Sequence, residues 1–326
     1  MKNCFVGIDV SKDTIDICLL KDLQESLVIK NSKRDILKFI KSKLKDGFNY
    51  YICFENTGKY SWLLTELLIE LDFKVYLVNP LHLKRSMGLV RGKNDKIDAI
   101  RIANFIKKNY EDINVYLPLR EELTMIKILL SERNFKVKQK RELNTKNKDL
   151  VILSNKSLAK SLIRKNKKII LELEKQIKEI EKEIKLIIKL DDSLNILNKL
   201  LQSVPGVGDI LSWNIIIKTN EFKTIKTPRK LACYAGVVPF HNSSGTSIFG
   251  KNRVSYLADK DLKRLLHLGA MSAIRLENNF KKFYLRKVKE GKNKMSVLNA
   301  VRNKIIHTCY ALVKNQTFYK NNLVMS

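Results

Sequence analysis

The sequence lacks the features that mark several classes of protein. Its five cysteines, in 326 residues, are scattered without a CxxC motif, which argues against a structural zinc site. An odd number of dispersed cysteines is typical of core residues in a reducing cytosol. We find no long apolar run, no amphipathic anchor and no secretory signal in the N-terminal segment, so we expect a cytoplasmic, nucleoid-associated protein with no membrane partner.

Acidic residues are also scarce relative to basic ones. The chain has 33 Asp and Glu against 63 Lys and Arg, which gives a formal net charge of +30 at pH 7. The excess is spread along the whole chain, and a charge of this kind indicates a polyanionic partner. With 44% hydrophobic residues the chain can bury a sizeable core. These observations predict a globular, nucleic-acid-binding protein of two or three domains.

Strand and helix patterns alternate in the first segment, residues 1–118. The stretches CFVGIDV, TIDICLL and ESLVIKN predict a meander of three antiparallel strands, and helices then alternate with the strands YYICFE and KVYLVNP. This order is that of an RNase H-like (RuvC-like) α/β fold, a mixed sheet covered by helices. In such a sheet the first and fourth strands lie side by side.

Residues 119–195 contain only helical patterns. A coiled-coil seam with spacings of three and four residues runs through Ile170, Leu173, Ile177, Ile180, Ile184 and Ile187. A weaker seam on the preceding helix contains Leu123, Ile126, Leu130 and Val137. An intramolecular hairpin and an intermolecular coiled coil explain the pattern equally well, and the second would make the protein a homo-oligomer, a dimer or tetramer.

The third segment, residues 196–326, is predicted to be mainly α-helical. Two helical patterns flank PGVG, where Gly206 and Gly208 favour the tight turn of a helix-hairpin-helix, whose amides bind nucleic-acid phosphates without reading sequence. A plain turn between two helices is the alternative. A polar loop rich in serine and glycine, PFHNSSGTSIFG, follows and leads into basic helices.

Acidic residues stand at the ends of two predicted strands and at the start of a helix. Asp9 and Glu55 close apolar strands, where an uncompensated charge is costly, and Asp95 and Asp98 share one helix face. Capping by Asp95 as N-cap, with Asp98 in the first turn, explains the helical pair alone. Converging carboxylates instead favour two Mg²⁺ or Mn²⁺ ions, which activate a nucleophile in phosphodiester chemistry.

Two further acids near Asp9 are left out of this predicted site. Asp13 lies in a turn, and Asp16 alternates with two isoleucines, which predicts a solvent-facing position on a strand.

Several motifs occur in an order that resembles a known family. They are GIDVSKDTIDI, ENTGKY, VNPLHLKRSMGLVRGKNDKIDAIRIANFI, VPGVG, LACYAGVVPF and SSGTSIFG. In this order, and across nearly the whole chain, they resemble the DEDD transposases of bacterial insertion sequences, the one-hundred-and-ten insertion-sequence family. The resemblance implies a RuvC-like domain with Asp9, Glu55, Asp95 and Asp98 as metal ligands, a coiled-coil segment, a C-terminal transposase domain and a bridge RNA that guides DNA recombination.

The resemblance also implies a serine nucleophile, at the position of Ser244. Composition alone allows Ser243 or Ser247 equally, or a turn without chemistry. Lys251, Arg253 and Lys263 are candidate phosphate contacts near the serine, or a solvated basic face. The chain departs from the family at Ala258, where glycine is usual, which affects the expected loop geometry.

Three other functions remain open on the sequence. A metal-dependent junction-resolving nuclease would use the acids and the charge but leaves the C-terminal segment unexplained. An actin-like or sugar kinase would share the first phosphate-loop pattern but would need a second glycine-rich domain. A non-catalytic RNA-binding scaffold would use the charge without the acids. We therefore predict a DNA transposase that cuts and rejoins DNA, its target chosen by base pairing with RNA.

Overall fold

We analysed a computed structural model of the chain. The structure describes residues 2–45, 47–55, 58–86, 94–153, 155–244, 248–254 and 256–321, and it gives the backbone alone for Lys84 and residues 241–244 and 248–253. The chain divides into two compact units, Met1–Pro118 and Leu119–Ser326.

The first unit is a five-stranded sheet with helices. Its elements are β1 Lys2–Val10, β2 Thr14–Leu20, β3 Gln24–Lys30, α1 Lys33–Lys43, β4 Phe48–Glu55, α2 Trp62–Glu70, β5 Val75–Val78, α3 Pro80–Ser86 and α4 Asp95–Asn109, with a 3₁₀ turn at Gly58–Ser61. The strand order is β3-β2-β1-β4-β5. Strands β1 to β3 form the antiparallel meander, and β4 and β5 run parallel to β1. The predicted adjacency of the first and fourth strands is confirmed, and the mixed sheet is compatible with an RNase H-like domain.

Helices cover both faces of this sheet because its strands alternate two apolar sets. One set packs with α1 and α2 and contains Cys4, Val6, Ile8 and Val10 of β1, with Ile52 and Phe54 of β4. The other set includes Phe5 and Cys53 and packs with Ile102, Phe105 and Ile106 of α4. Since successive strand residues point to opposite faces, Asp9 shares the α4 face with Phe5 and Gly7.

The second unit begins with a long helical hairpin. Helices α5 (Glu121–Leu150) and α6 (Lys156–Leu190) run antiparallel, with an ion pair between Arg133 and Glu181 at 2.7 Å and a hydrogen bond from Asn166 to Asn147 at 2.8 Å. The predicted α6 seam is buried from Ile170 to Ile184, and Leu123, Ile126 and Leu130 of α5 are buried too. In this structure the seam is therefore buried inside an intramolecular hairpin.

The seam prediction was wrong at one position. Ile188 is buried where the heptad spacing placed Ile187, which is only half-buried. An α-helix has 3.6 residues per turn, so its buried stripe drifts away from a strict 3.5-residue repeat.

The rest of the second unit is mainly helical. Its elements are α7 Asp192–Gln202, α8 Asp209–Thr219, α9 Pro228–Tyr234, β6 Pro239–Ser244, β7 Ile248–Val254, α10 Lys260–Ala273, α11 Asn279–Lys289 and α12 Lys294–Asn315. Residues from α5 to α8, from α9 and α10 and from α12 share one hydrophobic core. Arg120 stabilises the start of α5, because its guanidinium binds Asp191, the N-cap of α7, and also Glu221 at 2.7 Å.

The serine-rich segment is not the loop that the sequence predicted. It forms the antiparallel hairpin β6–β7, with Ser243 opposite Phe249 and Ser244 opposite Ile248. Sequence patterns missed it because these strands carry few alternating apolar residues, so backbone hydrogen bonds form them without a period-two signal.

Among the helices in the described part of the chain, none has both the length and the apolar character that crossing a bilayer requires.

Candidate active site

Three acidic side chains lie on the α4 face of the sheet, near one end. Asp9 is the last residue but one of β1, and Glu55 ends the neighbouring strand β4. Asp16 of β2 is directly opposite Asp9 in the antiparallel ladder. Directly opposed residues have Cβ atoms about 4.5–5.5 Å apart. The sheet alone therefore gathers carboxylates from three strands.

The helix α4 brings two more acids to this face, and Gly7 sets how closely it packs. A Cβ atom at Gly7 would lie 2.2 Å from the Ala103 nitrogen and the Ala99 oxygen, so the helix backbone lies directly on β1. Asp95 precedes Ala99 by four residues, about one helical turn, and Asp98 is the residue directly before Ala99. Their helix therefore carries them toward the end of β1 that holds Asp9.

Asn94, not Asp95, caps α4. The Asn94 side chain accepts a hydrogen bond from the Lys96 amide at 3.1 Å, and Asp95 is the exposed first residue of the helix. The capping role considered for Asp95 is therefore wrong. Asn94 caps the helix, and Asp95 and Asp98 lie in its first turn, where the helix dipole favours negative charge.

The electrostatics of Asp9 report the convergence of these groups. Burial, together with the negative charges of Asp95, Asp98, Glu55 and Asp16, raises the pKa of Asp9 to about 6. Neighbouring carboxylates destabilise the ionised form of one another, and a cation relieves that repulsion. Asp95, Asp98 and Glu55 therefore lie within electrostatic range of Asp9.

The prediction for Asp16 was wrong. The residue is only 9% exposed, and burial followed by the charge of Asp95 raises its pKa. The alternation with Ile15 and Ile17 was interpreted correctly, but the face opposite the isoleucines is covered by α4 and is not open to solvent. The packing of α4 on this face, which the β2 pattern alone does not reveal, decides the environment of Asp16.

The side chains of these acids do not converge on one point in the structure. Asp98 is paired with Arg101 at 2.7 Å, one turn along the helix. Within the described residues no three potential ligands stand close enough together to hold one metal ion as they are. The donor set nevertheless fits a hard divalent cation, because carboxylate oxygens are its preferred ligands and the repulsion at Asp9 is what a cation neutralises.

The second unit holds the predicted serine and its neighbours. Ser243 and Ser244 end β6, and Lys251 and Arg253 lie in β7, but their side chains are outside the part that the structure describes, as is the whole of Ser247. Lys263 is half-buried on α10.

The PGVG turn joins α7 and α8 and packs tightly on α10. Gly206 has a positive φ of 88°, and a Cβ there would lie 2.1 Å from the Gly269 oxygen. Gly208 is the N-cap of α8 and faces open space, with no side-chain hydrogen bond at the helix start. The turn borders a groove of about 870 Å³, whose basic lining residues are Arg133, Lys138, Arg141 and Arg264.

Comparison with known proteins gives two family matches. Residues 6–154 match a DEDD transposase model of the IS110 type, and residues 198–285 match the model described as the transposase IS116/IS110/IS902 family. The pilin gene-inverting proteins of Moraxella lacunata and Moraxella bovis are each 26% identical to the chain, over 98% of it and 99% of their own length. An insertion element IS110 protein of Streptomyces coelicolor is 28% identical over 39% of the chain and 31% of its own length.

Proposed function

Because the chain belongs to the IS110 family of DEDD transposases, and is thus an enzyme that recombines DNA, we propose that it works through a serine-linked intermediate with two divalent metal ions. The observation that supports the metal-dependent part most is the position of Asp9 near the end of β1, beside β4 with Glu55 and under α4, where burial and then the charges of Asp95, Asp98 and Glu55 raise its pKa to about 6. Acids from three distant segments of the chain thus act on Asp9 at one end of the sheet.

Asp9, Glu55, Asp95 and Asp98 would hold the ions, which we propose to be Mg²⁺ or Mn²⁺. When bound, such ions lower the pKa of a nucleophile and stabilise charge on the leaving oxygen of a phosphodiester. The protein's own part is to present ionised carboxylates. Asp9 must be ionised, which its pKa of about 6 allows at neutral pH, and Asp98 must exchange Arg101 for the ion.

Ser244 is the proposed nucleophile. Its hydroxyl oxygen forms a bond to phosphorus and loses its proton, while the bond from phosphorus to the leaving sugar oxygen breaks and that oxygen takes up a proton. The phosphoserine bond conserves the energy of the phosphodiester, so a second hydroxyl can reverse the reaction and rejoin strands without an external energy source. Two relatives are named for inverting a gene, and inversion needs both breakage and rejoining.

We further propose that the PGVG turn acts as a helix-hairpin-helix that binds nucleic-acid phosphate. Gly208 leaves the first amides of α8 without a side-chain cap, and free amides at a helix N-terminus attract phosphate. The groove beside the turn is lined by four basic residues and by the acids Asp209 and Asp261, so its net charge is positive, and Phe135, 54% exposed, offers a surface for base stacking.

The family resemblance and the net charge of +30 also support a guide RNA, and we further propose that the protein assembles into a dimer or tetramer. Sequencing the RNA that copurifies with the expressed protein tests the first, and light scattering tests the second.

The central experiment separates a recombinase from a nuclease. Wild-type protein incubated with target DNA, Mg²⁺ and any required RNA is expected to form a covalent adduct that survives denaturation, and Ser244→Ala is expected to form none. Ser243→Ala is the matched control, with the adjacent serine removed. Cleavage that continues in both variants without an adduct would instead support a junction-resolving nuclease that uses water.

A further inference from the structure

Arg302 of α12 is a buried cation without a counter-ion. Its side chain is only 7% exposed, and no carboxylate in the described part of the chain pairs with it. Its Nε is buried and has no hydrogen-bond partner there. An uncompensated buried charge is strongly destabilising, so a structural role alone does not explain it.

The guanidinium instead contacts a histidine. Arg302 Nη2 lies 2.6 Å from Nδ1 of His267 on α10, and Arg302 Nη1 lies 3.5 Å from Asn299 Oδ1. An arginine has only donors, so Nδ1 of His267 must accept and cannot carry a proton. Burial and the charge of Arg302 both lower the pKa of His267, so the ring is neutral at pH 7 and carries its proton on Nε2. Among the described residues, that N–H has no acceptor.

This pair lies at the base of the serine hairpin. Asn299, one turn before Arg302 on α12, donates a hydrogen bond from Nδ2 to the Val237 carbonyl oxygen at 2.7 Å. Val237 is two residues before β6, the strand that carries Ser243 and Ser244. The same side of α12 therefore holds both the arginine and the start of the hairpin.

We propose that His267 and Arg302 form a binding site for one phosphodiester group of a nucleic-acid strand beside the serine hairpin. His267 donates its Nε2–H to a phosphate oxygen, and Arg302 is a positioning residue that fixes the tautomer and supplies the positive potential. The proposal rests on the serine mechanism for its catalytic consequence. The anion site itself follows from the unpaired buried charge and the unused donor.

A spectroscopic test does not depend on cleavage. The chain has four histidines, so ¹⁵N-histidine labelling of the full protein resolves their tautomers by NMR. We expect the Nε2–H tautomer for His267 at pH 7 and a shift of its Nε2 resonance when a 12-nucleotide DNA strand or the matching RNA strand is added. Arg302→Met is expected to abolish that shift while the protein stays folded, because methionine fills a similar volume without charge. The strand that causes the larger shift identifies the ligand as substrate or guide.

A kinetic test uses variants of matched chemistry. His267→Leu and Arg302→Met are expected to slow adduct formation on the order of 100-fold, as loss of a preorganised donor does, while strand affinity falls only several-fold because one of several phosphate contacts is lost. His267→Gln keeps a donor near Nε2 and Arg302→Lys keeps the charge, so both are expected to recover part of the rate. His307→Leu, an exposed histidine on α12, is the control and should behave as wild type.

The outcomes separate the two proposals. Wild-type adduct rates in His267→Leu and Arg302→Met, with no strand-dependent shift of His267, would overturn the phosphate site and leave the serine mechanism standing. A strand-dependent shift that Arg302→Met abolishes, in a protein that never forms an adduct, would support the phosphate site and reject the serine mechanism. A third outcome would make the pair purely structural. In it, wild-type His267 shows no response to the strand, and Arg302→Met loses stability and activity and converts His267 to the other tautomer.

Discussion

The substitution Asp9→Asn is expected to stabilise the protein in the absence of metal and to remove its metal binding. Burial and four neighbouring acids raise the pKa of Asp9 from 3.8 to about 6. Each pKa unit corresponds to about 1.4 kcal/mol, so the ionised carboxylate costs at most about 3 kcal/mol at neutral pH. Because Asp9 is partly exposed, solvent screening reduces this to about 1–2 kcal/mol. For a unit of this size, that is roughly 5 °C in Tm.

The sign of this effect depends on pH. The folded protein binds the Asp9 proton more tightly than the unfolded chain, so the stability that the group contributes is present below pH 3.8 and is lost as the pH rises toward 6. Asn resembles the protonated acid at every pH. The gain in Asp9→Asn is therefore expected to be complete at pH 8 and to vanish near pH 4.

Thermal unfolding at pH 4 and pH 8, with and without Mg²⁺, measures both effects. Mg²⁺ should raise the Tm of wild type by mass action and leave Asp9→Asn unchanged. Asp13→Asn, an exposed turn residue close by in sequence, is the control and should show neither change. A variant at position 9 that melts lower than wild type at pH 8, or that Mg²⁺ still stabilises, would refute the idea that converging acids strain this site.

Further predictions concern packing, ion pairs, assembly and binding. Gly7→Ala places a methyl group 2.2 Å from the α4 backbone, so urea unfolding should show a loss of about 3 kcal/mol and DNA cleavage should disappear; a wild-type midpoint would contradict the packing argument. Arg120→Met should cost about 3 kcal/mol, and the deficit should shrink as the pH falls below 3.8, because Arg120 holds the pKa of Asp191 well below that value. Ile177→Asp with Ile184→Asp should lower Tm without changing the mass in light scattering, whereas a smaller mass would show that the seam joins subunits. Nucleic-acid affinity should fall steeply between 50 and 200 mM salt, on the order of 1,000-fold if about six phosphates are neutralised, and a flat response would count against phosphate binding.

The sequence predicts the sheet well because its strands are short, apolar and separated by clear turns. It also predicts that Asp9 and Glu55 meet, since strand adjacency follows from the order of elements and is confirmed by the pairing of β1 with β4. The environment of Asp16 could not be predicted in this way. Alternation in a strand predicts the face of the sheet on which a residue lies, but the packing of a helix distant in sequence decides whether that face is exposed to solvent.

The serine hairpin and the Arg302 site were missed for different reasons. Polar strands such as β6 and β7 give no hydrophobic periodicity, so the sequence suggests a loop. Arg302 lies among many basic residues, and composition cannot distinguish a solvated arginine from a buried one. Its partner His267 is 35 residues away, and only the packing of α10 against α12 brings the two together.

The charges around the four acids indicate what a bound cation would do there. Arg101 neutralises Asp98, the charge of Lys96 partly offsets the raised pKa of Asp16, and Asp9 holds its proton up to about pH 6. Each of these effects reduces the negative charge at the acids. In a chain with a net charge of +30, DNA is attracted broadly, but a cluster of ionised acids repels a phosphate that approaches it. Cations bound by the acids would reverse that repulsion at the point where the backbone must come closest, so metal binding and strand binding at this site should each strengthen the other.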